Sequence, residues 1–254
     1  RWFESVGGVN KVSEKMLQAA RLIRPEARYI LNHYTDLDKE YEEQIEHCLK
    51  VGADFEVVGI QTHMHTEMDS MDESRLWKAL ETYARYGKPL HLSEISILSC
   101  ERFKDWDSYN AWKDKVNASD AKGDPRPTLA STPRLERYQA DMTRDFYTLA
   151  FSHPAVEAII WWTITDLAPW RGMPAGLLDT QGAPKPVYEV LDQLINHEWR
   201  TDLSGKIADD SILQARGFYG SYSLSITHGD QEYVADFRLS RSSTEPIEIT
   251  LKLK

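Results

Sequence analysis

The stretch Gly87-Lys88-Pro89-Leu90-His91-Leu92-Ser93-Glu94-Ile95-Ser96-Ile97-Leu98 decides how the rest of the chain is read. Gly87 and Pro89 stop an amphipathic helical pattern over Asp72–Tyr86 and hand the chain to a short apolar run over Leu90–Leu98. A carboxylate inside such a run is costly unless it is paired or hydrogen-bonded. Glu94 is flanked by Leu90, Leu92, Ile95 and Ile97, so it is expected to point into a polar cavity. The plainer alternative is a structural glutamate bonded to neighbouring backbone.

The same helix-then-strand rhythm continues on both sides. Upstream, Val12–Leu22 has helical spacing and is followed by Pro25 and the strand-like Arg28–Tyr34. Lys39–Val51 is helical with Gly52 as its stop, and Phe55–Gln61 is a short apolar strand. Downstream, the helix Pro133–Phe151 leads to the strand Val156–Thr165, and Lys185–Asn196 is a closing helix. Strands separated by helices predict βαβ units and a parallel sheet, either doubly wound or part of a (β/α)8 barrel. No glycine-rich phosphate loop follows any strand, so nucleotide binding lacks its usual support. The polar segment Cys100–Thr132 breaks the rhythm and is too long for an idle connection. Beyond His197 the pattern becomes short alternating strands, Tyr219–Thr227, Glu232–Leu239 and Ile247–Leu251, separated by turn signals at Gly229-Asp230 and Ser240–Ser243. The expected organisation is an α/β domain over 1–198 and a small antiparallel β module over 199–254.

Composition bounds the function. The chain has 254 residues, 41% hydrophobic and 28% charged, which is enough apolar material for a real core. A formal charge of −10 without a basic cluster argues against nucleic acid as a partner. The longest apolar runs fall far short of a membrane span. Two cysteines, Cys48 and Cys100, imply no disulfide framework. The 8 Trp and 12 Tyr are a surplus that serves either the core or flat apolar ligand faces.

In barrels the chemistry sits at the C-terminal ends of the strands. Here those ends are polar: Asn32-His33-Tyr34, Gln61-Thr62-His63-Met64-His65, Ser93-Glu94-Ile95-Ser96 and Trp162-Thr163-Ile164-Thr165-Asp166. His63 is the residue expected to reach Glu94 from the adjacent strand. Taken together, the motifs resemble glycoside hydrolase family 10, the retaining endo-β-1,4-xylanases. Ala27–Tyr34 resembles the family's fifth strand with its Asn-Asp-Tyr ending, and Val58-Gly59-Ile60-Gln61-Thr62-His63 resembles its sixth. Gly87–Glu94 resembles the seventh, whose Glu is the nucleophile. Trp162–Asp166 with Trp170-Arg171 resembles the eighth strand and its loop, and Gly176-Leu177-Leu178-Asp179 and Pro184–Tyr188 the approach to the last helix.

The resemblance covers roughly residues 1–196 and implies strands 5–8, the C-terminal half, of a TIM (β/α)8 barrel, followed by a small β-sandwich-like module. It implies hydrolysis of β-1,4-xylan or a related plant polysaccharide by a secreted or periplasmic bacterial protein, with no metal and no organic cofactor. Glu94 is then the nucleophile, His63 its partner, and Asn32, Tyr34, Gln61, Trp162, Trp170 and Arg171 line the sugar site. The family's acid/base Glu is expected upstream of Arg1, and the N-terminal half-barrel is expected from the same gene product, another chain or self-association. Two departures stand out: Ser96 replaces the Asp two positions after the nucleophile, and His33 replaces the middle residue of Asn-Asp-Tyr.

Two other readings compete. A non-catalytic carbohydrate-binding relative would keep the aromatic walls without turnover. A zinc-dependent barrel hydrolase would use His63 and His65, two apart on one strand face, with His33, His91 and Glu94. The 100–132 segment, with Trp106, Tyr109 and Trp112, is expected to overhang the active-site face, shaping distal subsites or capping core. The aromatics of Arg216–Tyr222 are expected to pack on barrel helices, with sugar binding as the alternative.

Overall fold

The computed structural model describes residues 2–34, 37–67, 72–206, 214–240 and 247–249. The chain divides into two compact units, 1–191 and 192–254. The first carries helices α1 (Trp2–Val6), α2 (Val9–Ile23), α3 (Lys39–Val51), α4 (Glu73–Ala84), α5 (Trp106–Lys122), α6 (Pro133–Ser152) and α7 (Pro186–Asp192, whose last residue falls in the second unit). Its strands are β1 (Ile30–His33), β2 (Val57–Ile60), β3 (His63–Met64), β4 (Leu90–Ile97) and β5 (Val156–Trp161).

All the pairings in this sheet are parallel, in the order β1-β2-β4-β5, with β3 joining the far end of β4. Sequential βα units therefore build four neighbouring strands, with helices crossing back between them. The helices start where short polar side chains can accept orphan backbone N–H groups: Asp38 caps α3, Asp72 caps α4, Thr132 caps α6, and Asp105 with Ser108 forms a capping box on α5.

One face of the sheet is covered. Leu31, Val58, Ile60, Leu90 and Leu92 are buried, as are Tyr41 and Ile45 of α3, Leu76, Leu80 and Tyr83 of α4 and Phe146 of α6. The Tyr41 hydroxyl donates to the carbonyls of Leu31 and Gly59, fastening α3 to β1 and β2. The other face is open at β1, where Ile30 is 41% exposed and Asn32 is exposed beside it, while Val57 of β2 on the same face is buried.

The regular alternation of β4 is broken on purpose. Leu90 and Leu92 are buried and His91 and Ser93 are not, so strict alternation would turn Glu94 into the covered face. The pairing of β4 with β5 shifts register between Leu92 and Ile95. That irregularity lets both Ser93 and Glu94 reach the open side, where each contacts Asn32.

Several sequence-derived elements differ at their ends. The fourth strand stops at Trp161, four residues early, because Leu177 and Leu178 take the Ile164 carbonyl and pull the chain into a loop. The 100–132 segment contains the 17-residue helix α5, not anticipated from its polarity. The closing helix changes at Gln193 from α to a π-helical turn ending at Glu198.

In the second unit, β6 (Gly220–His228) and β7 (Gln231–Leu239) form an antiparallel hairpin turning at Gly229-Asp230. Tyr222 stacks on Phe237 across it at 5.2 Å. The β module is present as this ribbon. The expected third strand finds no strand at 247–249, and its remaining residues, like the turn at 241–243, lie outside the described residues.

Candidate active site

The site gathers at the C-terminal ends of β1, β2 and β4 and in the loop after β5. Glu94 lies at its centre. Asn32 Nδ2 donates to Glu94 Oε1 at 3.4 Å, and Gln61 adds a side-chain hydrogen bond. His63 Nε2 lies 3.5 Å from Glu94 Oε2. Glu94 thus accepts from Asn32 and Gln61, the former at a distance longer than an optimal charge-assisted bond, while His63 stands close by. Burial raises the Glu94 carboxyl above its ordinary value, and the bonds from Asn32 and Gln61 oppose that rise.

Asn32 is itself oriented. Ser93 Oγ donates to Asn32 Oδ1 at 2.8 Å, so the amide nitrogen is left to face Glu94. Gly59 leaves the space: a Cβ there would come within 2.5 Å of Asn32 Oδ1 and 2.7 Å of Ile30 Cγ2.

His63 is set from behind. Its Nδ1 lies 2.8 Å from Ser96 Oγ, and His65 Nε2 lies 3.0 Å from the same oxygen. The two imidazoles stack at 4.9 Å, and Trp170 stacks on His63 at 5.8 Å. Burial lowers the His63 pKa to about 4, with the Arg171 guanidinium contributing, and drives His65 well below its ordinary value. At neutral pH His63 is therefore a neutral imidazole, and its approach to Glu94 is not an ion pair.

The loop after β5 supplies the aromatic wall. Trp162 stands edge-on to both His63 (6.2 Å) and Trp170 (6.5 Å). The Arg171 guanidinium lies 4.4 Å over the Trp170 ring and donates to the Tyr109 hydroxyl at 2.7 Å. Helix α5 supports this wall: Trp112 Nε1 donates to the Arg171 carbonyl, and Tyr109 stacks on His65 at 5.6 Å. Leu98, Cys100, Tyr109, Met173 and Ala175 form a small core here, with Phe103, Trp112, Leu129 and Trp170 against it. A Cβ at Gly172 would meet the Pro127 carbonyl at 2.0 Å, so only glycine lets the 124–131 strap lie so close. A buried Lys185 bonds Asp166 Oδ2 and Ser99 Oγ, both at 2.8 Å, tying the far end of the loop to the segment just after β4.

Among the described residues, three that are not glycine have positive φ: Thr62 (55°), Thr163 (71°) and Arg171 (54°). Each directly follows a residue of the site, Gln61, Trp162 and Trp170 respectively. Strain at positions like these persists only where the surroundings impose it.

Of the residues singled out from sequence, the structure brings together Glu94, His63, Asn32 and Gln61, with Trp162 and Trp170 beside His63. Arg171 is folded onto Trp170 and Tyr109, and Tyr34 is exposed and stacks on His33 at 5.0 Å. The positioning contacts of Ser93, Ser96 and His65 were not read from sequence; hydroxyls one and two residues from the strand glutamate, and a second histidine two residues from His63, were the available signals. Among the described residues, no group of three or more His, Cys, Asp or Glu side chains is arranged to hold a metal ion.

The profile of glycosyl hydrolase family 10 matches residues 1–194. The chain belongs to that family. Its four parallel strands and their helices are accordingly part of a (β/α)8 barrel. Among solved structures, xylanase 10B from Thermotoga petrophila, in complex with xylobiose, is 20% identical with a TM-score of 0.54, covering 73% of this chain and 51% of that one. A thermostable mutant of Xyn10A from Cellvibrio japonicus gives 18% and 0.56, covering 76% and 56%. Among curated proteins, the anti-sigma-I factor RsgI6 of Acetivibrio thermocellus is 24% identical over 90% of this chain and 26% of its own length. Endo-1,4-beta-xylanase 2 of Arabidopsis thaliana is 22% identical over 94% and 19%. This member of the family thus spans about a quarter or less of those curated relatives and about half of the matched structures.

Proposed function

We propose that this chain supplies the nucleophile half of a retaining glycoside hydrolase acting on β-1,4-xylan or a related plant polysaccharide. The observation that carries the reading is the Glu94 carboxyl in the C-terminal half of β4, hydrogen-bonded by Asn32 and Gln61, with His63 3.5 Å away and an indole wall alongside. Membership of glycosyl hydrolase family 10 supports the substrate class, as does the xylobiose bound by a structural neighbour. Retention needs a second carboxyl group ~5–5.5 Å from the first, to serve as acid and base. Glu94 attacks the anomeric carbon, forming a C–O ester bond, as the glycosidic C–O bond breaks and the acid/base group gives its proton to the departing oxygen. Water, deprotonated by the same group, then cleaves the ester and frees Glu94. Asn32 and His63 fix the attacking carboxylate, which lowers the cost of reaching the geometry of attack. A polysaccharide substrate places this action outside the cytoplasm, in a secreted or periplasmic protein.

The test is covalent trapping in the protein that carries this chain. A 2-deoxy-2-fluoro-xylobioside with a good leaving group is expected to add one glycosyl mass to the peptide containing Glu94. Labelling of another carboxylate would overturn the assignment. The similarity to an anti-sigma factor favours a second reading, in which the site binds glycan without cleaving it. Saturable binding of xylo-oligosaccharide with no turnover and no trapping would select that reading.

A further inference from the structure

We propose that His65, Ser96, His63 and Glu94 form a hydrogen-bond chain of fixed direction, in which Ser96 and His65 are positioning residues that hold His63 as a neutral Nε2–H donor to the Glu94 carboxylate. For its catalytic consequence this deepens, and rests on, the reading of Glu94 as nucleophile; the proton arrangement itself stands without it.

The argument is a count of protons. An ionised Glu94 would repel a bare nitrogen lone pair, so the His63 nitrogen that faces it at 3.5 Å carries the hydrogen. A neutral imidazole has one N–H, so Nδ1 of His63 is then a bare acceptor. The group 2.8 Å from that Nδ1 is Ser96 Oγ, which donates its single proton there. With that proton committed, Ser96 can only accept from His65, 3.0 Å away, so His65 carries its hydrogen on Nε2. Ser96 and His65 are 1% and 4% exposed, which leaves little room for water to supply a substitute. The protons in the chain are thus set from two sides, by the charge on Glu94 at Nε2 of His63 and by the buried Ser96 hydroxyl at its Nδ1.

Three charged or titratable groups act on the two imidazoles: Glu94 from β4, Arg171 from the loop after β5 and Tyr109 from α5. Burial disfavours an imidazolium, and the nearby Arg171 cation disfavours it further. A serine at position 96 fits this environment because it can both accept and donate without adding charge.

The test is long-range nitrogen–hydrogen NMR on the histidines of the protein carrying this chain, with H65F and H63F spectra for assignment. Both rings are expected to show the Nε2–H pattern, without titrating from about pH 6 to about pH 8. S96A is expected to lose the single His63 pattern in favour of mixed tautomers, and S96T to restore it. S96D, which places a carboxylate between the two rings, is expected to raise at least one midpoint above the ordinary value of ~6.5. An Nδ1–H pattern on His63 in the wild type, or a midpoint near 6.5, would overturn the proposal. So would an unchanged S96A spectrum; if S96A does not fold, the wild-type and S96T spectra decide. None of these readouts needs substrate, so a failure to find glycan hydrolysis leaves this result standing, and hydrolysis with the opposite His63 tautomer sinks the chain alone.

Discussion

Two carboxylates stand beside histidines at opposite ends of the same sheet, and they are built for different ends. Glu157, at the start of β5, receives Arg28 at 2.7 Å and His91 at 2.8 Å. These bonds, from Arg28 first and His91 second, hold its carboxyl below the ordinary value. Glu94, in the C-terminal half of β4, accepts from Asn32 at 3.4 Å and lies 3.5 Å from His63, an imidazole uncharged at neutral pH, and burial pushes its carboxyl up. The comparison shows how one motif, carboxylate plus histidine, becomes a strut or a reagent. A short contact to a guanidinium neutralises the charge, whereas longer contacts to neutral donors orient the carboxylate and leave it reactive.

The largest expected break in the comparison is in activity. E94Q should lower hydrolysis of an aryl-xyloside by about 1,000-fold or more, whereas E157Q should leave kcat within a few-fold; comparable losses in the two variants would erase the distinction. Next, G59A should displace Asn32 and destabilise the fold by about 1–3 kcal/mol, measured by urea unfolding, with a loss of activity that E157Q does not share. Third, carboxyl-carbon NMR titration should place the Glu94 midpoint above 4.5 and the Glu157 midpoint below it.

The smallest effects are in stability, and they carry opposite signs. A raised carboxyl pKa favours the protonated folded state, so the Glu94 contribution is present below about 4.5 and is lost as pH rises through its folded value. E94Q should therefore melt higher than wild type at pH 7. A depressed pKa works the other way: the Glu157 contribution is present above about 4.5 and disappears as pH falls through its folded value. E157Q should melt lower at pH 7 by an amount worth roughly 0.5 kcal/mol, because Glu157 is largely open to solvent and screened. That deficit should vanish in acid.

The Glu94 half of this contrast was legible in the sequence. A glutamate among Leu90, Leu92, Ile95 and Ile97 announces that something polar faces it, and the polar ends of the neighbouring strands say where. What the alternation could not show is the register shift between Leu92 and Ile95, because a bulge leaves no compositional mark. Helix α5 stayed hidden for a different reason. Trp106, Tyr109, Trp112 and Val116 mark one face, but the charged residues between them dilute the periodicity. Ser96 was visible as a departure from the family pattern, yet a hydroxyl does not declare its partners, and its bonds to His63 and His65 depend on how β3 docks beside β4.

The left-handed backbone at Thr62 and Thr163 has a consequence for anyone improving this protein by selection. Glycine suits that conformation far better than a β-branched residue, so a screen for heat resistance that ignored chemistry would collect T62G and T163G early. The same exchanges loosen the hinges that aim Gln61 and Trp162. Gains in endurance at these two positions would be taken from the site itself, and robustness is better sought in the hairpin of the second unit.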